Sequence, residues 1–371
     1  MKIDRRDFLK YGASGAAMAA VPGGAWAQAA SGAVFAPTPG AWRNYEITTR
    51  VEILNPQGET QVWLPIPAFE GEGWIKPGET TFQTKSGKAA IVRDAKSGAR
   101  LLHVAWAADE PQPEVTAVSR FSARDLKVDP SKADASTKLS PEQRKHYTAS
   151  TSTLRLAGIV TETSTKITAG AKNDLEKAKR IYDWIVDNTT RNPKTRGCGT
   201  GDIESMLKSG NLTGKCADLN ALYVGLARAS GLPARDIYGV RVAPSAFGYK
   251  SLGAGTANIT KAQHCRAAVF VDGVGWLPVD PADVRKVILE EPPGSLAVDD
   301  PKVKAARAAL FGSWETNWLG YNDAHDVILP GSKGPPVSFL MYPQAETARG
   351  RLDELDPDAF KYTITAQQMP A

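Results

Sequence analysis

The sequence has few of the side chains that hold metal ions. Its 371 residues include 3 cysteines and 4 histidines. Neither type recurs at the C-x-x-C or H-x-x-x-H spacing that assembles a tetrahedral metal site. Composition therefore predicts neither a metal centre nor another cofactor.

A long apolar run and a strong charge are also lacking. No stretch has the roughly 18 consecutive apolar residues that a membrane-spanning helix needs, so we expect no membrane span in the mature chain. The formal net charge is only +5, and part of it lies within the first ten residues. Because the excess is small and dispersed, we expect no nucleic-acid partner.

Residues 1–27 have the composition of an export signal. The pair Arg5 and Arg6 precedes a weakly apolar stretch of small residues, and Ala25-Trp26-Ala27 supplies an A-x-A cleavage site. This start resembles a twin-arginine signal, and an ordinary secretory signal is the alternative. Both predict an exported bacterial protein, periplasmic or secreted, whose mature chain begins near Gln28.

Composition divides the rest of the chain into four segments. With 42% hydrophobic residues, the chain can bury at least one sizeable core. Alternating aromatic and β-branched residues between Pro- and Gly-rich turns predict a β-sandwich-like domain over 28–125, and a polar linker follows over 126–150. We assign 151–291 to the core that carries the chemistry, and 292–371 to a C-terminal extension packed on that core.

Helical and strand patterns alternate within the core segment. Apolar residues three and four positions apart predict helices over 174–188 and 214–230. Strand patterns over 263–271 and 276–279 are joined by an Asp-Gly-Val-Gly turn, which is typical of a hairpin. The predicted fold class is α+β.

Cys216 is the candidate nucleophile. It lies in the first turn of the second predicted helix. Unpaired amide groups and the helix dipole stabilise a negative charge there, so the pKa of the thiol should fall below its usual value of about 8.5. For any single cysteine, a buried and inert thiol is the alternative.

His264 and Asp280 are placed to serve this thiol. One lies near the start of the first hairpin strand and the other at the end of the second, nearly symmetric about the turn. Antiparallel pairing then brings the two side chains together. The carboxylate can hold the imidazole while the other ring nitrogen faces Cys216. Asp283 is a competing carboxylate, which we expect past the strand end and facing solvent.

Several blocks of residues resemble the transglutaminase-like core family. They are Gly214-Lys215-Cys216-Ala217-Asp218, Gly231-Leu232-Pro233-Ala234-Arg235, His264-Cys265 and Trp276-Leu277-Pro278-Val279-Asp280-Pro281. The resemblance implies a papain-like fold, in which a helix with a nucleophilic cysteine packs on an antiparallel sheet with a histidine and an aspartate. Cys216, His264 and Asp280 match these catalytic roles.

The resemblance also implies acyl-transfer chemistry. The thiolate attacks an amide carbonyl, the histidine gives a proton to the departing amine, and water or a second amine resolves the acyl-enzyme. Our leading hypothesis is hydrolysis of peptide or isopeptide amides in a protein or peptide substrate, with the cell envelope as one source. The alternatives are protein-glutamine crosslinking and a non-catalytic periplasmic binding or scaffold protein.

Cys198 and Cys265 form an even pair beside the candidate nucleophile. In an oxidising compartment they could form a disulfide that leaves Cys216 free. Strand alternation would point Cys265 away from His264 and so outside the site. Folding in the reducing cytoplasm before export favours free thiols, so both states stay open.

Overall fold

The computed structural model describes residues 34–71, 73–356 and 360–370. The predicted signal peptide, residues 1–27, lies outside the described residues. Within the described ranges, no helix is long and apolar enough to cross a membrane.

Strands and helices are numbered in chain order over the described residues. The strands are β1 (Arg43–Glu52), β2 (Thr60–Pro65), β3 (Ile75–Gln83), β4 (Lys88–Arg93), β5 (Arg100–Trp106), β6 (Glu114–Ala123), β7 (Leu126–Lys127), β8 (Thr190–Arg191), β9 (Thr213–Gly214), β10 (Ala234–Arg241), β11 (Gln263–Val271), β12 (Gly275–Val279), β13 (Ser313–Trp314), β14 (Trp318–Asn322), β15 (His325–Val327), β16 (Val337–Phe339), β17 (Gln344–Thr347), β18 (Gly350–Arg351) and β19 (Lys361–Met369). The α-helices are α1 (Pro141–Tyr147), α2 (Ile159–Thr168), α3 (Asp174–Asn188), α4 (Ile203–Ser209), α5 (Cys216–Ala229), α6 (Pro281–Glu290) and α7 (Pro301–Ala309).

Two antiparallel sheets form the N-terminal β region. One has the strand order β19-β1-β6-β3 and the other has the order β18-β17-β2-β5-β4. Burial alternates along β1 and β6, as expected for strands that cover a core on one face. Apolar side chains of β1 and β6 share a cluster with those of β2 and β5, so the two sheets pack face to face.

Strands from the end of the chain complete both of these sheets. β19 pairs with β1 from Asn44↔Met369 to Glu52↔Lys361, and β17 pairs with β2. β14, by contrast, pairs with β10 in the core sheet. The stretch predicted to be an extension on the core, 292–371, therefore contributes to both regions. Local pattern indicates which face a strand buries but not its partner, and the predicted domain limits stay a prediction.

The stretch predicted as a linker, 126–150, contains short elements that contact the core. β7 pairs with β13. α1 begins at a capping box on Ser140, and Arg144 in α1 forms a 2.5 Å salt bridge with Asp272 in the β11–β12 turn. These contacts hold residues 126–150 in place between the N-terminal β region and the core.

The core combines an antiparallel sheet, in the order β12-β11-β10-β14, with helices packed on it. α5 is buried along almost its whole length and contacts β10 and β11 as well as α2, α3 and α6. It ends at Ala229 with Ser230 as its C-cap, and Gly231 then takes a positive φ of 86°. The α+β class and the helix-on-sheet core are confirmed.

Candidate active site

Cys216 is the first residue of α5, and the carboxylate of Asp218 organises the backbone around it. This buried carboxylate accepts hydrogen bonds from the N–H groups of Lys215 at 3.0 Å, Thr200 at 2.9 Å and Gly201 at 3.0 Å. The loop before α4 is thereby tied to the start of α5. Asp218 is thus a capping residue that fixes the position of the candidate nucleophile.

Two glycines leave room for this carboxylate. A Cβ atom on Gly199, where φ is 97°, would lie 1.9 Å from Asp218 Oδ2. A Cβ atom on Gly214 would lie 2.4 Å from the same oxygen. Contacts this short cannot be relieved without moving the carboxylate, so the spacing Gly-x-Cys-x-Asp has a direct steric reason.

The structure brings His264 and Asp280 together. His264 Nε2 lies 2.8 Å from Asp280 Oδ2, and both side chains are buried. Since Ala267 pairs with Val279, the two residues are diagonal neighbours across the hairpin rather than directly opposite. With Nε2 held by the carboxylate, Nδ1 is the ring nitrogen left to face Cys216.

The expectation that Asp283 faces solvent is wrong. Its side chain is 1% exposed, and Oδ1 lies 3.4 Å from His264 Nε2 and 2.5 Å from Arg241 Nη2. The reason is local: Asp280 caps α6 by accepting the N–H of Asp283 at 3.0 Å, so the chain turns inward after the strand. An Asp followed by Pro281 is a helix-start pattern that could have revealed this.

Opposing pKa shifts favour a thiolate and imidazolium pair. The neighbouring thiols of Cys198 and Cys265, followed by the interaction with His264, hold the pKa of Cys216 well below its usual value despite burial. Burial and Arg241 lower the pKa of His264, but the carboxylates of Asp283 and Asp280 outweigh them and raise it to about 9. Around neutral pH, both shifts place the proton on the imidazole.

Two arginines balance the carboxylates behind His264. Arg241 pairs with Asp283, and Arg266 Nε lies 3.5 Å from Asp280 Oδ2. Ligand atoms of His264, Asp280 and Asp283 lie within 4.8 Å of one another, as a metal site would require. Because the guanidinium groups already contact these carboxylates, the cluster is better suited to holding an imidazolium than a cationic metal.

Trp318 and Asn220 fix the backbone and the carboxylate of this cluster. Trp318 Nε1 donates a 2.8 Å hydrogen bond to the carbonyl oxygen of His264. Asn220 Nδ2 donates to the carbonyl of Cys265 at 2.9 Å and to Asp280 Oδ1 at 3.2 Å. Neither residue was identified from the sequence. The signal for Asn220 was its position four residues after Cys216, on the same face of α5.

All three cysteines are free in the structure. The considered disulfide between Cys198 and Cys265 is therefore absent, and both thiols contribute to lowering the pKa of Cys216 instead. The neighbouring Cys216 thiol and burial raise the pKa of Cys198, while burial and Cys216 raise that of Cys265. Both thiols therefore stay neutral beside Cys216, and the Cys198 thiol donates to the carbonyl oxygen of Gln263 at 3.4 Å.

A cavity of about 660 Å³ gives access to Cys216 and His264. Its lining combines basic side chains with aromatic and apolar ones. The basic residues are Arg191, Arg196, Lys215, Arg241, Lys261, Lys286 and Lys361, and the apolar part includes Tyr342, Leu355, Phe360 and Tyr362.

Known proteins are similar to this chain in sequence. A family model described as the transglutaminase-like superfamily matches residues 161–281, which include Cys216, His264 and Asp280. An uncharacterized protein of Haemophilus influenzae is 35% identical over 344 residues, which cover 88% of this chain and 91% of that protein. The chain belongs to the transglutaminase-like superfamily.

The solved structures that resemble this chain include one with a similar fold. A proposed cysteine protease of Cytophaga hutchinsonii has a TM-score of 0.50 and 14% identity, over 89% of this transglutaminase-like chain and 99% of that one. The periplasmic domain of TgpA from Pseudomonas aeruginosa has a TM-score of 0.34 and 16% identity, over 65% and 88% of the two chains.

The comparisons also settle how this superfamily member is targeted. Residues 2–22 match the twin-arginine translocation signal sequence, so the predicted export signal is confirmed and the protein is exported across the membrane. Membership of the superfamily supports a thiol-dependent enzyme of the general class predicted from the sequence.

Proposed function

We propose that the protein hydrolyses peptide or isopeptide amide bonds through an acyl-enzyme on Cys216. The observation that carries the proposal is the buried group of Cys216, His264 and Asp280. In this group the pKa of the Cys216 thiol is lowered and the pKa of the His264 imidazole is raised. Such a pair provides the nucleophile and the proton that acyl transfer from an amide requires.

Each step uses groups of this chain. The Cys216 thiolate attacks the amide carbonyl, and the His264 imidazolium gives its proton to the departing amine. As the first residue of α5, Cys216 has a backbone N–H without an intrahelical acceptor, which can stabilise the oxyanion. Neutral His264 then takes a proton from water, and the resulting hydroxide releases the acid and regenerates the thiolate.

The charge of the cavity supports water rather than an amine as the acceptor. A primary amine is mostly protonated at neutral pH. Lysines and arginines line the cavity, and within the described residues Lys215, Lys261 and Lys286 have no carboxylate in close contact, so an approaching ammonium group is repelled whereas water is not. Crosslinking to lysine is therefore the second candidate.

The buried ionic cluster argues against a purely scaffolding role. His264, Asp280, Asp283, Arg241 and Arg266 are all buried. Burying so many charges costs free energy that a scaffold could avoid with apolar residues. A reactive centre, in contrast, needs an imidazolium held next to a thiolate.

Product analysis of the purified mature protein tests the proposal. Glutamine-containing peptides and isopeptide-linked peptide pairs are incubated with the enzyme, with and without an added primary amine. Hydrolysis predicts release of the amine or ammonia and a free carboxylate product whether or not the amine is present. Predominant incorporation of the added amine would favour crosslinking. His264→Ala should abolish turnover, whereas a matched change at the exposed residue His146, His146→Ala, should retain it.

A further inference from the structure

We infer that the Cys216 cavity selects acyl donors that carry a carboxylate close to the scissile amide. This inference rests on the proposed function, because the acyl donor is the substrate of that same site. It adds a chemical class to a substrate that the family resemblance leaves undefined.

The charged side chains on the described wall of the cavity are mostly basic. Seven lining residues are lysine or arginine, and Glu354 is the one acidic residue among the described lining residues. A cleft lined by one sign of charge concentrates ligands of the opposite sign and speeds their association. Peptides with negative charge are therefore the favoured ligands.

Four of these cations are already paired. The pairs are Arg191 with Glu290, Arg196 with Asp353 at 2.5 Å, Arg241 with Asp283 at 2.5 Å, and Lys361 with Glu52 at 2.8 Å. Their charges are largely balanced inside the protein. The selectivity must therefore come from the three remaining lysines.

Lys215, Lys261 and Lys286 are available to a ligand. Within the described ranges, Lys215 and Lys261 form no ion pair. Lys286 lies 3.8 Å from Glu290, a carboxylate that also pairs with Arg191. The Lys286 side chain is only 19% exposed, so its charge is less screened than that of a surface lysine. A ligand carboxylate would supply a partner to Lys215 and Lys261 and a second, closer one to Lys286.

The positions of two of these lysines place the ligand charge near the reaction. Lys215 directly precedes Cys216, and Lys261 lies three residues before His264. Both side chains line the same cavity as Cys216 and His264, so the recognised carboxylate would lie in the cavity where the amide reacts. Tyr342 and Tyr362 line another part of the cavity and can pack on apolar portions of the same peptide.

The carboxylate has two possible sources, an acidic side chain and the C-terminus of a short peptide. Three peptides separate them. The first has glutamate next to the reactive amide and an amidated C-terminus, the second has glutamine in place of that glutamate, and the third is the second peptide with a free C-terminus. We expect kcat/KM to be about tenfold higher for at least one carboxylate peptide than for the neutral one, and to fall with added salt. Equal kcat/KM for all three would overturn the inference.

Matched lysine variants assign the effect to the cavity. Lys261→Met and Lys286→Met should each reduce the preference for carboxylate peptides about threefold or more. Lys304→Met is the control, because Lys304 is exposed on α7 and does not line the cavity. If Lys261→Met and Lys286→Met both kept the parent protein's preference for carboxylate peptides, the inference would be overturned.

Alkylation rates separate failure of this inference from failure of the proposed function. Iodoacetate and iodoacetamide are close in size and differ in charge, and neither requires amide turnover. We expect the iodoacetate to iodoacetamide rate ratio at Cys216 to fall in Lys261→Met and Lys286→Met and to stay constant in Lys304→Met. If no peptide is turned over but the alkylation rate ratio falls in the two cavity variants, the proposed function fails and the inference stands. A ratio that is unchanged in both cavity variants would overturn the inference itself.

Discussion

The guanidinium of Arg241 donates a 2.5 Å hydrogen bond to the carboxylate of Asp283, and both side chains are buried. Despite burial, Arg241 holds the pKa of Asp283 well below its usual value. A second anion therefore lies 3.4 Å from His264, in addition to Asp280. The imidazole is stabilised by two carboxylates rather than by one.

Replacing Asp280 should mainly lower turnover, whereas replacing Asp283 should mainly lower stability. Asp280→Asn removes the shorter contact to His264 and should lower turnover by about two to four orders of magnitude. Asp283→Asn leaves Arg241 buried without a counterion and should lower the free energy of unfolding by about 3 kcal/mol. Turnover assays and urea denaturation of both variants check this. Asp299→Asn, on an exposed surface, is the matched control. An Asp283→Asn protein as stable as the parent would contradict the role given to this pair.

Thiol reactivity should differ sharply among the three cysteines. Because the pKa of Cys216 is lowered, its thiolate persists below the pH range in which ordinary thiols ionise. Its alkylation rate should therefore change little when the pH falls by about one unit from slightly alkaline to neutral. Cys198 and Cys265 have raised pKa values and should react slowly. Mass-spectrometric mapping of iodoacetamide adducts measures all three. Preferential labelling of Cys198 or Cys265 would show that the nucleophile is misassigned.

Stability should depend on the ionisation of His264. Its pKa in the folded protein is about 9, above the usual value of 6.5. The protonated ring therefore stabilises the fold fully below the unfolded pKa, and this contribution is lost as pH rises through the folded pKa. The difference in unfolding free energy between the parent protein and His264→Gln should narrow from pH 6 to pH 9 (roughly the interval between the two pKa values). Urea denaturation at several pH values tests this, with His146→Gln as a control. A difference that widened over this range would refute the assignment.

Asn220 should act as a positioning residue. Asn220→Ala removes the amide that donates to Asp280 and to the carbonyl of Cys265. Leaving these buried acceptors without a donor should cost about 1–3 kcal/mol of unfolding free energy. It should also lower kcat more than it raises KM, because Asp280 would no longer be held towards His264. Asn188→Ala, at an exposed position in α3, should alter neither quantity. Unchanged kcat in Asn220→Ala would contradict the positioning role.

Residues with a strong local pattern could be predicted from the sequence. The periodic stripe of α3 gave bounds that match the structure, 174–188. The β11–β12 hairpin follows from its turn residues. The motif around Cys216 indicates a helix there, although α5 begins at Cys216 and not at the predicted residue 214. In each case the signal lies within a few consecutive residues.

Features that depend on distant parts of the chain could not be predicted. The pairing of β19 with β1 joins strands from opposite ends of the chain, and neither strand encodes its partner. Arg241 and Asp283 likewise come from separate elements, and their ion pair exists only once β10 and α6 pack together. The inward turn that buries Asp283 does have a local signal, because Asp280 followed by Pro281 is a helix-start pattern.

Trapping of the acyl-enzyme tests the central claim most directly. An amide substrate is mixed with the enzyme, the reaction is quenched in acid within its first turnover, and the peptide that contains Cys216 is analysed by mass spectrometry. We predict a mass increase equal to the acyl group on Cys216, reduced accumulation in His264→Ala and none in Cys216→Ala. Amine release without any adduct on Cys216, or equal release by Cys216→Ala, would contradict the account.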